Sequence, residues 1–241
     1  MGIDHPACRI EVVGRLCGKK ATSRQRTGEQ GRPKLFAVRQ QPGKDFVKSL
    51  AELTVSVLNR LLRQQLVREA EGYLDLVSVL EDQWPLPAEI RDCLVGRSLS
   101  VIERLGDATA LSPQIQLIKG LALRTLGRYK EALEPLAAAA EADPQNIDTW
   151  LALGWCHKRV GRLDLAIESL EEALDLEPGS ALVNYNLACY WSLARNKRQA
   201  LAYLSHALTL DSSFRHLIDG EHDFDPLRDD ADFQALTTIT V

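Results

Sequence analysis

The residues that could carry chemistry fall into three groups, and their spacing decides what each can do. Cys156 and His157 are adjacent, a thiol beside an imidazole. Neighbours on a helix point about 100° apart, so the two cannot easily face one ion, and a packed, partly buried imidazole is the better account of His157. The alternating acids Asp219, Glu221, Asp223 and Asp225 have the density of a calcium loop but lack the EF-hand spacing and its terminal Glu, which predicts a solvated acidic segment. Lys19, Lys20, Arg24, Arg26, Arg32 and Lys34 form a basic arm that could neutralise phosphates on a nucleic acid or an anionic surface. Phe36 is the one aromatic residue in that arm able to stack on bases, so a solvated tail is the better reading. Ser98, His157 and Asp164 can be named as a nucleophile, base and acid, but nothing in their spacing brings them together. No phosphate-cradling glycine loop, Gly-x-Ser-x-Gly turn or His-Glu-x-x-His helix is present, so no catalytic residue, metal or cofactor is expected.

The elements that would position any site are set by a repeat of 34 residues. Small residues recur at Gly120, Gly154 and Ala188, at Ala132, Ala166 and Ala200, and at Ala139, Ala173 and Ala207. Leu136, Leu170 and Leu204 stand between the alanine columns, and Pro144 and Pro178 end the first two copies, with Ser212 in the third place. Small residues at fixed intervals let two helices approach closely, a Leu column fills the layer between them, and a proline stops the second helix. Such a unit cannot bury its apolar face alone, so neighbouring copies must stack.

Period and residue order resemble the tetratricopeptide repeat, and the middle copy does so best, with Trp150, Leu153, Gly154, Ala166, Leu170, Ala173 and Pro178 in register. The departures are Gln116 and Asn184 in the Trp column, Lys119 in the Leu column, and Pro135 inside a predicted helix. Turns between paired helices carry Gly127 and Gly161, with Arg195 and then Asn196 in the third copy, where Asn196 is the residue suited to a left-handed backbone. The resemblance implies an all-α fold, a right-handed superhelical array of antiparallel helix pairs, with copies at 112–145, 146–179 and 180–213. Residues 214–241, with Phe224, Leu227, Phe233 and Leu236 in an acidic stretch, look like the closing segment of many bacterial repeat proteins and imply a C-terminal cap.

In such arrays the first helix of each copy lines a concave groove that takes a peptide or a helix. Carried over residue by residue, that face offers Gln114, Leu117, Leu121 and Arg124 from the first copy. The second supplies Asp148, Leu151, Trp155, Lys158 and Arg159, and the third Leu182, Tyr185, Asn186, Cys189 and Ser192. Leu117 and Leu121 stand where members that clamp a terminal carboxylate have polar columns, so a carboxylate clamp is not expected. An apolar groove with Trp155 and Tyr185 suits the nonpolar face of a helix, because aromatic side chains bury large area at low entropic cost. The same residues could instead pack on another element of this chain.

The remainder divides by charge and periodicity. Residues 1–44 hold ten Lys and Arg against three Asp and Glu, whereas residues 45–241 hold nineteen against thirty, a basic arm on an acidic body. The arm lacks a sustained apolar period, which predicts disorder. Residues 45–106 are expected to hold N-terminal helices: one over 45–67 with a broad apolar face, then two over 69–81 and 88–105 resembling a degenerate repeat with a lengthened turn. The helix over 45–67 must pack on something, and capping the N-terminal side of the array is expected, in preference to filling the groove or meeting a second subunit. Five cysteines in no regular framework fit a reducing compartment, and no run of about 18 apolar residues exists, so a cytoplasmic location without membrane contact is expected. The function expected is a non-catalytic adaptor for another polypeptide; the alternative is a nucleic-acid-associated protein using residues 1–44, with the repeats for docking or dimerisation.

Overall fold

The computed structural model describes residues 44–84, 86–106 and 112–238, so the expected basic arm lies outside the described residues. Eight long helices follow one another: α1 Lys44–Gln83, α2 Ala88–Leu105, α3 Pro113–Thr125, α4 Tyr129–Ala142, α5 Ile147–Arg159, α6 Leu163–Leu176, α7 Ala181–Leu193 and α8 Lys197–Leu210. A C-terminal segment of short helical turns then runs to α9 Arg215–Ile218, a 3-10 stretch His222–Leu227 and α10 Ala231–Thr237. Among the described residues there is no strand. The chain is all-α, a row of helix pairs in which α3 packs on α4, α5 on α6 and α7 on α8, with each pair packed on the next. Three-residue links between paired helices leave an antiparallel course as the available geometry.

Burial follows the 34-residue columns. Ala132, Ala166 and Ala200, then Leu136, Leu170 and Leu204, then Ala139, Ala173 and Ala207 are all at most 1% exposed, so each copy uses the same side chains for the same contact. A Cβ on Gly120 would collide with Leu136 Cγ, and one on Gly154 would lie 3.3 Å from the Ala166 carbonyl oxygen and from Leu170 Cγ. The small residues are therefore required by helix approach. Trp150 anchors the middle copy by donating from Nε1 to the Pro144 carbonyl at 2.9 Å. In the third copy Asn184 takes that column fully buried, donating to the Ser180 carbonyl at 2.8 Å and meeting His206 Nδ1 at 3.1 Å. Pro135 is buried within an unbroken α4.

Gly127 and Gly161 adopt φ of 72° and 79°, and the Arg128 and Arg162 amides donate back to the Leu123 and His157 carbonyls, each at 2.9 Å. In the third turn it is Arg195 that takes the left-handed conformation, at φ 60°, in place of the expected Asn196. Asn196 instead caps α8, its Oδ1 accepting from the Gln199 amide at 3.2 Å. Position 195 is the 34-residue equivalent of Gly127 and Gly161, so the turn geometry places the left-handed residue there, one before the N-cap, whatever its side chain.

Two N-terminal expectations are corrected. The helix expected over 45–67 does not end there: α1 continues without a break to Gln83, since no proline interrupts it and Gly72 is tolerated within it. Only its C-terminal half is packed. Leu66, Ala70, Leu74 and Val77 are buried in the seam with α2 and α3, while Leu53, Val57, Leu58, Leu61 and Leu62 are all at least half exposed. Among the described residues, the first half of α1 thus does not cap the array.

Candidate functional site

The residues expected to line a concave face lie on α3, α5 and α7 and have different fates. Leu117, Leu121, Leu151 and Leu182 are buried in the core of the repeats, so the expectation that they line an open groove is corrected. Trp155, Arg124, Lys158 and Asn186 are partly exposed, and Arg159 is exposed. Gln114, at the start of α3, is exposed and donates to Glu71 Oε1 of α1 at 2.6 Å, tying the first helix pair to the first copy. Asp148 is buried at the N-terminus of α5, where its amide donates to Asn146 Oδ1 at 3.1 Å.

Tyr185 and Cys189 are both fully buried and are not groove surface. The chain's own C-terminal segment covers α7. Phe214 sits 5.1 Å from the Tyr185 ring, Phe224 meets it edge-on at 5.6 Å, and Phe233 backs Phe224 at 5.5 Å. Such offset and edge-on pairs add to what their area alone contributes. At the third copy the alternative reading holds: Tyr185 and Cys189 pack under the chain's own C-terminal segment.

The acidic run is not wholly solvated either. Asp223 pairs with Lys158 of α5, 65 residues away, with about one seventh of either side chain exposed. Burial raises the Asp223 pKa, and the Lys158 ammonium opposes that rise. Glu221 is 4% exposed and caps the 3-10 stretch by accepting from the Asp223 amide at 3.2 Å. Cys189 Sγ and carboxylate oxygens of Glu221 and Asp223 lie within 4.8 Å of one another. Lys158 already supplies a cation to this cluster, and its ammonium also lies 5.2 Å from the Trp155 ring and 5.3 Å from that of Tyr190. Arg228 completes the segment, donating to the Ile218, Asp219 and Glu221 carbonyls at 3.2, 3.1 and 2.9 Å.

His157 and Cys156 behave as packed side chains. Cys156 is fully buried, and desolvation pushes its thiol up to about 11. Burial, helped by the Arg162 charge, lowers the His157 pKa, and its Nδ1 is enclosed with no hydrogen-bond partner. Ser98 is buried and donates to the Ala70 carbonyl at 2.8 Å, tying α2 to α1, far in sequence from His157 and Asp164.

Sequence reasoning missed the cation held between aromatic rings and the segment that covers α7. Phe224 and Asp223 were visible as residues of a cap, but their partners lie one and two copies away.

Comparisons with known proteins agree with the repeat. Residues 123–168 match the family model of the tetratricopeptide repeat. The chain is 39% identical over 51 residues to the anaphase-promoting complex subunit 3 of Dictyostelium discoideum, and 26% identical over 139 residues to a peroxisomal targeting signal receptor of Candida glabrata. These stretches cover 21% and 58% of the chain but 5% and 22% of the two relatives. A solved structure of MamA from MSR-1 aligns with a TM-score of 0.48 at 23% identity, over 65% of this chain and 98% of that one. With the family model matched across the first and second copies and the same columns buried in all three, this chain carries tetratricopeptide repeats.

Proposed function

We propose that this chain is a non-catalytic scaffold that binds another polypeptide on the concave face of α3 and α5, beside the part its own C-terminal segment fills. The observation that carries this reading is the way that segment sits: an aromatic ring, Phe224, over Tyr185, and an acid, Asp223, on Lys158. The neighbouring surface offers the same kind of chemistry, with Trp155 and Arg124 partly exposed and Arg159, 5.0 Å from the Tyr129 ring, exposed. A peptide or amphipathic helix carrying apolar residues flanked by acids fits it, because an aromatic anchor contributes affinity and basic neighbours fix register. The peroxisomal targeting signal receptor and the anaphase-promoting complex subunit support a role among proteins by their names alone.

Replacing Trp155 by Ala tests the reading. Partner capture from the native host should be lost while the melting temperature stays close to that of the parent. Unchanged capture would place binding elsewhere, and an unfolded variant would make Trp155 core. The alternative, contact with nucleic acid through residues 1–44, calls for salt-sensitive retention on nucleic acid that disappears when those residues are deleted.

A further inference from the structure

The projecting half of α1 poses a different question from the groove. Among the described residues eleven large apolar side chains are left exposed, and six of them, Leu53, Val55, Val57, Leu58, Leu61 and Leu62, lie within one ten-residue stretch. Each is between 50% and 66% exposed. At about 100° per residue five of them, all but Val55, share one half of the helix, centred about 170° from the seam of Leu66, Ala70, Leu74 and Val77, while Val55 lies beside that seam. The array packs on the side of α1 away from the centre of that face and leaves these side chains exposed.

We infer that this face is where a second copy of the chain docks, through an antiparallel pairing of the two projecting helices about a two-fold axis between Val57 and Leu58. The order of the residues is self-complementary about that point: Leu53 meets the other copy's Leu62, Thr54 meets Leu61, and Val57 meets Leu58. A two-fold interface requires such reciprocity, each residue serving once on either side. Area is sufficient. The five side chains other than Val55 leave on the order of 500 Å² per copy, so that a pair buries about 1,000 Å², the size at which a biological interface begins. Direction follows from the rest of the fold. Residues 44–65 project beyond the seam by roughly 33 Å at 1.5 Å per residue. An antiparallel pair sends the two arrays to opposite ends of this overlap and opposes the helix dipoles, whereas a parallel pair crowds both arrays at one end.

Light scattering on the full chain at about 50 µM and at about 1 µM tests the assembly. A dimer at the higher concentration is expected, becoming monomeric in the Leu58→Asp, Leu61→Asp double variant with its helical circular dichroism retained. A monomeric parent chain, or a dimer that survives the double variant, overturns the proposal. Register is tested by mixing chains carrying Leu53→Cys with chains carrying Leu62→Cys, oxidising, and identifying the linked peptides by mass spectrometry, which also separates links through the native cysteines. Links from 53 to 62 support the antiparallel pair; 53 to 53 links in the Leu53→Cys chain alone overturn it.

Discussion

The two ends of the array solve the same problem in opposite ways. A stack of repeats leaves an apolar face at each terminus, and at the C-terminal end the chain folds back on itself: Phe214, Phe224 and Phe233 close over Tyr185, and Asp223 reaches Lys158. At the N-terminal end the first helix instead runs past the pair it belongs to and carries apolar residues into solvent. The seal at one end is local and self-sufficient. The other end is incomplete by the same measure, and the difference shows that capping is a property of the particular segment and not of the repeat.

The largest expected effect contrasts the ends directly. Phe224→Ala removes a fully buried ring from the seal and should cost about 3–5 kcal/mol. Leu58→Asp, measured near 1 µM so that association does not enter, should change stability by less than about 0.5 kcal/mol. Equal shifts in denaturant midpoint would erase the distinction. Next come the close approaches. Gly120→Ala drives a methyl into Leu136, and about 1–3 kcal/mol of overpacking should outweigh the ~1 kcal/mol gained in helix propensity. Gly154→Ala meets its neighbours at 3.3 Å and should be closer to neutral, making the first copy the tighter of the two in a thermal melt. Arg195→Gly should stabilise the C-terminal copy by up to about 1 kcal/mol, because the left-handed backbone at φ 60° strains any residue with a Cβ. A loss of stability there would mean that the Arg side chain outweighs its backbone cost.

The smallest effect concerns acid. Because burial lowers the His157 pKa, the unfolded chain takes up a proton before the folded one does. Stability from this site is complete above the ordinary imidazole value of about 6.5 and is lost as the pH falls through the depressed folded value. His157→Phe should therefore lose less melting temperature than the parent between pH 7.5 and pH 5.5. An identical loss would assign the acid sensitivity to other groups.

How much of this could be read from residue order depends on the range of the interaction. The helix pairs were legible because close packing demands a small residue at every crossing, and a demand repeated at 34 residues leaves a periodic trace in Gly120, Gly154 and Ala188. The cover over α7 was not: Lys158 and Asp223 are 65 residues apart, and nothing in either residue names the other. The apolar face of α1 was visible, but the array does not take it, and the helix was divided in two. Its apolar side turns by about 170° between the projecting and packed halves, and a change of face reads in a sequence like a change of helix.

That continuity makes α1 a rigid spacer. A flexible tether lets two bound modules wander, and their effective concentration falls as the tether lengthens. Forty residues of uninterrupted helix hold whatever grips residues 53–62 at a set distance and rotation from the first repeat, so lengthening α1 by one residue would turn the array by about 100° as well as moving it by about 1.5 Å.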